Sequence, residues 1–336
     1  MVRFYFYPII DPGKDFSSNP YCKNFLEHLS RKAIIVNKDI NKYGVLDFFR
    51  YLTNCDAYIL NWIVDLPKKK FGKLQVIAFS VFLTAAKILK RKIIWFLHDK
   101  YSHDTPQNLW TDYLFNLTIK SSDLIITHSK EGLQLINDFN PKYLVKTRYL
   151  IHPVKIISSS SIQREIKYDF LIWGAIFPYK GILEFIKFVK ETPEMHLYKI
   201  LILGKCIDRS YESELEKNMT TNITYLNKHF SFNKIADFSQ ESRFTLFTYK
   251  PESVLSSGTL MDSIGMGSII IGPNYGAFKD LGCYSFMNIY DSFYDIIAIY
   301  NNYHDNALIK QEITNFCIDN SWDSFIEKLC REFSSL

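Results

Sequence analysis

The sequence has no CxxC pair. Its six cysteines, Cys22, Cys55, Cys206, Cys283, Cys317 and Cys330, are scattered, and no His/Cys cluster has zinc-ligand spacing. This excludes a zinc ribbon and a disulfide-stapled small fold, and points to free thiols in a reducing compartment. A secretory signal is also missing: Met1 to Tyr7 is short and lacks a small-residue cleavage site, so it reads as a first strand. The longest apolar stretch, Leu74 to Leu89, is broken by Gln75, Ser80, Thr84 and Lys87. It falls short of the roughly 20 apolar residues a bilayer-spanning helix needs. There is no internal repeat and no low-complexity tract beyond Ser158 to Ser161. Charged residues are only 22% against 47% hydrophobic, which excludes a disordered chain. A length of 336 residues suggests two domains, at about 100–200 residues each.

The net charge of +5 is unevenly spread. Residues 1–150 hold 22 Lys/Arg against 13 Asp/Glu, or +9; residues 151–336 hold 18 against 22, or −4. A basic first half suggests an anionic partner, such as an anionic membrane surface or a polyanionic acceptor. A solvated lysine-rich surface is the plainer alternative. Leu74 to Leu89 is flanked by Lys68, Lys69, Lys70 and Lys73, and by Lys90, Arg91 and Lys92. Such a helix can lie in a membrane interface or pack on a sheet, and the two are compatible.

Short apolar runs alternate with helical stretches. The first half predicts strands at Val2–Tyr7, Ala33–Val36, Ala57–Asn61, Lys92–Leu97, Leu124–Thr127 and Tyr149–Ile151. The second half predicts them at Asp169–Trp173, Lys199–Leu203, Ile223–Tyr225, Phe244–Phe247, Ser268–Ile271 and Tyr284–Phe286. Continuous Ile, Val, Leu and Phe runs suit parallel strands covered on both faces. The alternation argues an α/β, doubly wound parallel sheet, twice over. The expected domains are 1–152 and 168–320, with a linker at 153–167 and a closing amphipathic helix in 321–336.

Two segments carry chemistry. After the strand at Phe244–Phe247, Ser256-Ser257-Gly258-Thr259 enters a helix. Free N–H groups and the positive helix end there make an anion site, to which the hydroxyls add donors. An ordinary serine cap would look the same. After the strand at Asp169–Trp173, Gly174 permits a tight turn, and Lys180 stands where it could neutralise a phosphate. An exposed lysine is the alternative. Together the loops put a cation and a set of donors at the carboxyl edge of one sheet.

Phe170 to Gly174 with Pro178-Tyr179-Lys180-Gly181, and Ser256 to Asp262 with Gly267 and Pro273-Asn274-Tyr275-Gly276, resemble the bacterial glycosyltransferases of the GT-B fold, in the broad group around glycosyltransferase family 4. Asn19-Pro20-Tyr21, Asn61-Trp62 and Trp95 to Asp99 with His103-Asp104 resemble short signatures of the exopolysaccharide and capsule enzymes of that group. The resemblance covers nearly the whole chain and implies two Rossmann-like domains facing across a cleft. It implies a nucleotide-sugar donor and a glycan or lipid-linked acceptor, with no nucleic acid, no cofactor and no bound metal. It further implies that Lys180 contacts the donor diphosphate after the Gly174 turn, that Ser256, Ser257, Gly258 and Thr259 offer donors to it, and that Asp262 binds the ribose. His229 and Phe230 would hold the base. Retaining members carry two Glu residues separated by seven positions; here Leu260 stands eight residues after Glu252, and Val254 eight before Asp262. Ala175 replaces a common arginine. Both departures favour inversion.

Inversion needs a base for the acceptor hydroxyl and neutralisation of the leaving diphosphate. His98-Asp99-Lys100-Tyr101-Ser102-His103-Asp104 follows the strand at Lys92–Leu97. Asp99 and Asp104 are the candidate bases, and His98 a donor-sugar or phosphate contact. His128 and His152 read as structural. The loop from Pro8 to Tyr21 is expected to face the acceptor. The expected function is sugar transfer in surface glycan synthesis, by a cytoplasmic enzyme peripheral on the inner face of the plasma membrane. The alternatives are a sugar-nucleotide epimerase of the same fold and a non-catalytic nucleotide-sugar-binding protein.

Overall fold

The computed structural model describes residues 1–9, 20–37, 44–99, 109–157, 165–251 and 255–336. They form two compact units, Met1–Ile151 with Trp322–Leu336, and His152–Ser321.

The first unit contains β1 (Arg3–Tyr7), β2 (Ile34–Ile35), β3 (Ala57–Asn61), β4 (Lys92–Leu97), β5 (Leu124–Thr127) and β6 (Thr147–Tyr149). They form one sheet in the order β2-β1-β3-β4-β5-β6, every pair parallel. Ile93 to Leu97 on β4 are all buried, as helices on both faces require. Each such side chain contributes about 1.5–3 kcal/mol by leaving water. Because β2 and β3 lie on opposite sides of β1, the strand order reverses at the carboxyl ends of β1 and β3.

The second unit repeats the plan with β7 (Tyr168–Trp173), β8 (Ile200–Leu203), β9 (Ile223–Leu226), β10 (Ser242–Leu246), β11 (Ile270–Pro273) and β12 (Met287–Tyr290). Its order is β12-β11-β10-β7-β8-β9, again all parallel. The reversal falls between β7 and β10. Most expected strands coincide with observed ones. The expected strand at Tyr284–Phe286 is a turn instead, and the ladder starts at Met287 opposite Ile270. Tyr284 and Phe286 stack on each other at 5.1 Å, and both pack edge-on against Phe316. The aromatic spacing that reads as a strand is a helix anchor.

Two stretches differ from the expected domain plan. The closing helix, Trp322–Ser334, belongs to the first unit. Its apolar face, with Trp322, Phe325, Ile326 and Leu329, is buried against Phe25 and Phe96, and Phe333 meets Phe4 edge-on at 5.1 Å. Arg148 binds Glu332 at 2.7 Å, and His28 binds Asp323 at 2.7 Å. Trp322→Ala is expected to destabilise the protein by about 3–5 kcal/mol, through a cavity beside Tyr21 and Phe25. Urea unfolding would measure it. The expected linker is also partly anchored. Val154 is buried and bridges Ser321, and Ile157 N–H donates to the Gly265 carbonyl at 2.9 Å. A Cβ at Gly265 would stand 2.1 Å from the Lys155 carbonyl oxygen, so only glycine lets this segment cross its helix so closely.

Candidate functional site

In the second unit, the loops after β7 and β10 meet at the reversal of strand order, where open α/β sheets take ligands. Gly174 leaves β7 with φ +106°, a left-handed conformation that favours glycine. The absence of a side chain there is used twice. A Cβ would stand 2.9 Å from Lys180 Nζ and 3.4 Å from Thr259 Oγ1. On the other side, Gly204 after β8 presses on the Gly174 carbonyl oxygen, 1.9 Å from where its own Cβ would be. Gly174 therefore lies in a gap that the cation and the helix threonine both border.

Lys180 ends a short 3₁₀ turn, Pro178–Lys180. Gly181 follows at φ +66°, and a Cβ there would collide with the Thr248 carbonyl. That approach ties the β7 loop to the β10 loop. Thr248 Oγ1 donates to the Lys180 carbonyl at 2.6 Å, and Lys250 N–H donates to the Tyr179 carbonyl at 3.0 Å. Lys250 Nζ pairs with Glu184 at 2.6 Å. Lys180 is only 5% exposed. Among the described residues no carboxylate pairs with it, and its Nζ lies 5.4 Å from the centre of the Tyr249 ring. The lysine stem is covered while no described carboxylate neutralises its ammonium, so an anion arriving here would find a positioned cation to pair with.

Ser257 caps the helix Gly258–Gly265, its Oγ accepting from Leu260 N–H at 3.3 Å. The Tyr249 hydroxyl lies 3.2 Å from the same Oγ, so one tyrosine touches both the lysine and the cap. Tyr275 donates its hydroxyl to the Tyr249 carbonyl and so fixes the loop. Nothing lies within 4 Å of a Cβ built on Gly258, so the first helical residue faces open space. Ser256 Oγ is buried with no hydrogen-bond partner among the described residues. Trp173 Nε1 donates to Ser263 Oγ at 2.9 Å, which anchors β7 to this helix. Asp262, one turn along, is half-buried. Burial pushes its carboxyl up to about 7, against a smaller opposing pull from Lys155.

The structure thus brings Gly174, Lys180, Ser257, Gly258 and Thr259 together, with Ser256 and Asp262 on the same segment. His229 and Phe230 stand on a different loop, between β9 and the helix Phe232–Gln240. His229 is exposed. Phe230 packs edge-on against Phe238 at 5.7 Å and joins the apolar cluster around Trp173. Tyr249, Thr248 and Gly204 are not among the site residues expected from the sequence. Their one local signal is position, just beyond the ends of β10 and β8.

In the first unit, His98 and Asp99 follow β4. Asn61 Nδ2 donates to the Tyr7 carbonyl at 3.1 Å, so its Oδ1 accepts from His98 Nε2 at 2.9 Å. When neutral, that imidazole carries its lone pair on Nδ1. Its ring stacks on Trp62 at 4.2 Å and meets Tyr21 edge-on. Trp62 reaches this position through a left-handed φ of 46°. His128, expected as structural, is also in this cluster, 5.5 Å from His98 between ring centres. Its Nδ1 donates to the Leu150 carbonyl at 2.8 Å, which leaves Nε2 to accept from the Tyr21 hydroxyl at 3.0 Å. Asn61 therefore orients His98 by a hydrogen bond, while His128 fixes Tyr21, whose ring meets His98 edge-on. Asp99 is half-buried, while Asp104 and His103 lie outside the described residues. So do residues 10 to 19 of the loop expected to face an acceptor, and Glu252 to Val254. His152, in the second unit, is buried and pushed down to about 4 by burial, so it stays neutral at pH 7. Among the described residues, no group of three His, Cys, Asp or Glu side chains could hold a metal ion.

No family model matches the chain, and no curated protein matches it. Solved structures do. Anabaena HepE, with UDP and glucose bound, matches at a TM-score of 0.72 with 12% identity, over 100% of both chains. The lipopolysaccharide outer core galactosyltransferase WaaB matches at 0.65 with 13% identity, over 100% of this chain and 99% of its own. AviGT4, a glycosyltransferase of avilamycin A biosynthesis, matches at 0.61 with 10% identity, over 99% and 97%. Two six-stranded parallel sheets, matched over the full length of these chains, give this protein the GT-B fold.

Proposed function

We propose that the chain is a glycosyltransferase that uses a nucleotide-sugar donor, and that its second unit holds the donor diphosphate between Lys180 and the start of the helix Gly258–Gly265. The observation that carries this reading is Lys180, a buried cation with no carboxylate partner among the described residues, beside a glycine gap, an open helix end and the unpartnered Ser256 Oγ. An anion accounts for all four at once. Asp262, in its ionised form, would accept the ribose hydroxyls. His229 and Phe230 are the proposed base contacts, and the bound UDP of HepE makes UDP the first nucleotide to try.

On the first unit, Asp99 is the proposed base, Asp104 its alternative, and His98 a donor-sugar or phosphate contact held by Asn61. The proposed acceptor is a glycan or a lipid-linked sugar, a choice supported by the named role of WaaB in lipopolysaccharide. Inversion is the proposed course, because the paired glutamates of retaining relatives are incomplete. No metal or cofactor is proposed.

A thermal-shift screen of UDP, GDP, CMP and their sugars tests the donor. One nucleotide is expected to stabilise the protein by about 2.7 kcal/mol at a hundred times its Kd. UDP is expected to be that nucleotide. A flat response to all of them would remove the proposed site.

A further inference from the structure

The helix Gly72–Ile88 leaves one side unused by the fold. Val76, Phe79, Phe82, Leu83 and Ala86 are buried, with Phe82 edge-on to Tyr58 of β3 and Phe79 and Phe82 edge-on to Phe48. Leu74, Ile77, Val81 and Ile88 are not, and all four are more than half exposed. Their spacing of three, four and seven residues places them on one helical stripe. Phe71, just before the helix, is 68% exposed and held outward by a left-handed φ of 57°. Leu109, at the start of the neighbouring helix, is 86% exposed. Single exposed apolar residues need no explanation, but a continuous stripe of them does.

The charges around the stripe identify what it fits. From Leu66 to His98 the sequence holds no acidic residue. Lys68 is neutralised by Asp65 at 3.4 Å, and Lys92 by Asp123 at 3.4 Å. Among the described residues, Lys69, Lys70, Lys73, Lys87 and Lys90 have no carboxylate partner. They stand at the two ends and along one border of the stripe. A second copy of the chain on this face would bring two such lysine sets together, whatever its direction, and like charges would oppose it. An acidic lipid surface takes apolar side chains and lysines at once: the stripe enters the acyl boundary and the lysine stems keep their ammonium groups at the headgroups.

We propose that this face docks on an anionic bilayer, lying along the interface without crossing it. No helix among the described residues is long and apolar enough to cross a membrane. The inference is independent of the donor site, and its test reads no activity. The whole protein is mixed with vesicles of phosphatidylcholine alone, or with about one third phosphatidylglycerol, and floated on a density gradient. Co-flotation with the mixed vesicles only is expected. Lys69→Gln/Lys70→Gln/Lys73→Gln is expected to weaken binding by about tenfold or more. Ile77→Ser/Val81→Ser is expected to weaken it similarly, with an unchanged melting temperature because both side chains are exposed. In Ile77→Trp, the indole emission is expected to shift to the blue on vesicle addition. The proposal is overturned if wild type fails to float with the anionic vesicles, or if both multiple variants float as well as wild type. It is also overturned if the serine variant converts a wild-type dimer to a monomer, which would assign the face to a second copy.

Discussion

Lys180→Ala is expected to lower affinity for the donor nucleotide by at least about ten- to a hundredfold, with a comparable loss in transfer from the nucleotide sugar. A hydrogen bond to a charged group contributes about 1.5–3 kcal/mol, which corresponds to that range of affinity loss. Stability should move little. The variant removes a charge that no described carboxylate neutralises, so the unliganded protein should melt close to wild type. Lost binding with kept stability separates a ligand-binding cation from a structural one. A structural lysine would lose stability and binding together. Lys180→Arg is a useful companion: its larger head would enter the gap over Gly174 that Lys180 and Thr259 both border. Partial binding with a changed preference among nucleotides is expected. Calorimetry with UDP and a melting curve without it decide the matter, and unchanged affinity in Lys180→Ala would remove this lysine from the site.

Asp262→Asn is expected to flatten the pH dependence of stability. The carboxyl of Asp262 moves from an ordinary value of 3.8 to about 7 because it is buried. Between those values the folded protein keeps a proton that the unfolded chain has lost. Stability therefore falls as pH rises from about 4 through about 7. At pH 8 the cost has been incurred in full, on the order of 2–4 kcal/mol for a group that remains half-buried. Asparagine carries no such cost, so the variant should exceed wild type in urea unfolding at pH 8 and match it near pH 4. Donor binding should respond in the opposite sense. If the ionised carboxylate accepts two ribose hydroxyls, wild-type affinity should rise as pH passes through about 7, and the variant should lose that rise. An equal stability slope in both proteins would contradict the burial argument.

Much of this was legible in the sequence because parallel strands buried on both faces are written as unbroken apolar runs. β4, β5, β7 and β8 are such runs, and they were readable. Where the chain uses an apolar pattern for another purpose, the reading fails. Tyr284 and Phe286 alternate as a strand would, yet they grip Phe316. The Lys180 loop and the Ser257 helix could be placed at one sheet edge because each follows an apolar strand, but a plain serine cap and an exposed lysine fit the same letters, and only the fold shows Lys180 buried beside Gly174. Tyr249 was not singled out because its role depends on two contacts, with Lys180 and Ser257, that exist only once both loops are folded. The histidine at the end of β5 reads as structural from its place on a buried strand, and His128 is buried with both ring nitrogens bonded inside the unit.

The helix Trp322–Ser334 gives the chain a nested order. The second unit is one continuous stretch, and the first is split around it. During synthesis, the segment that covers Phe25 and Phe96 emerges only after the entire second unit has been made. The second unit can mature while the first still exposes aromatic surface. Shortening the chain before Trp322 would therefore damage the half that was translated first, and a fragment ending at Ile151 would need this helix supplied in trans.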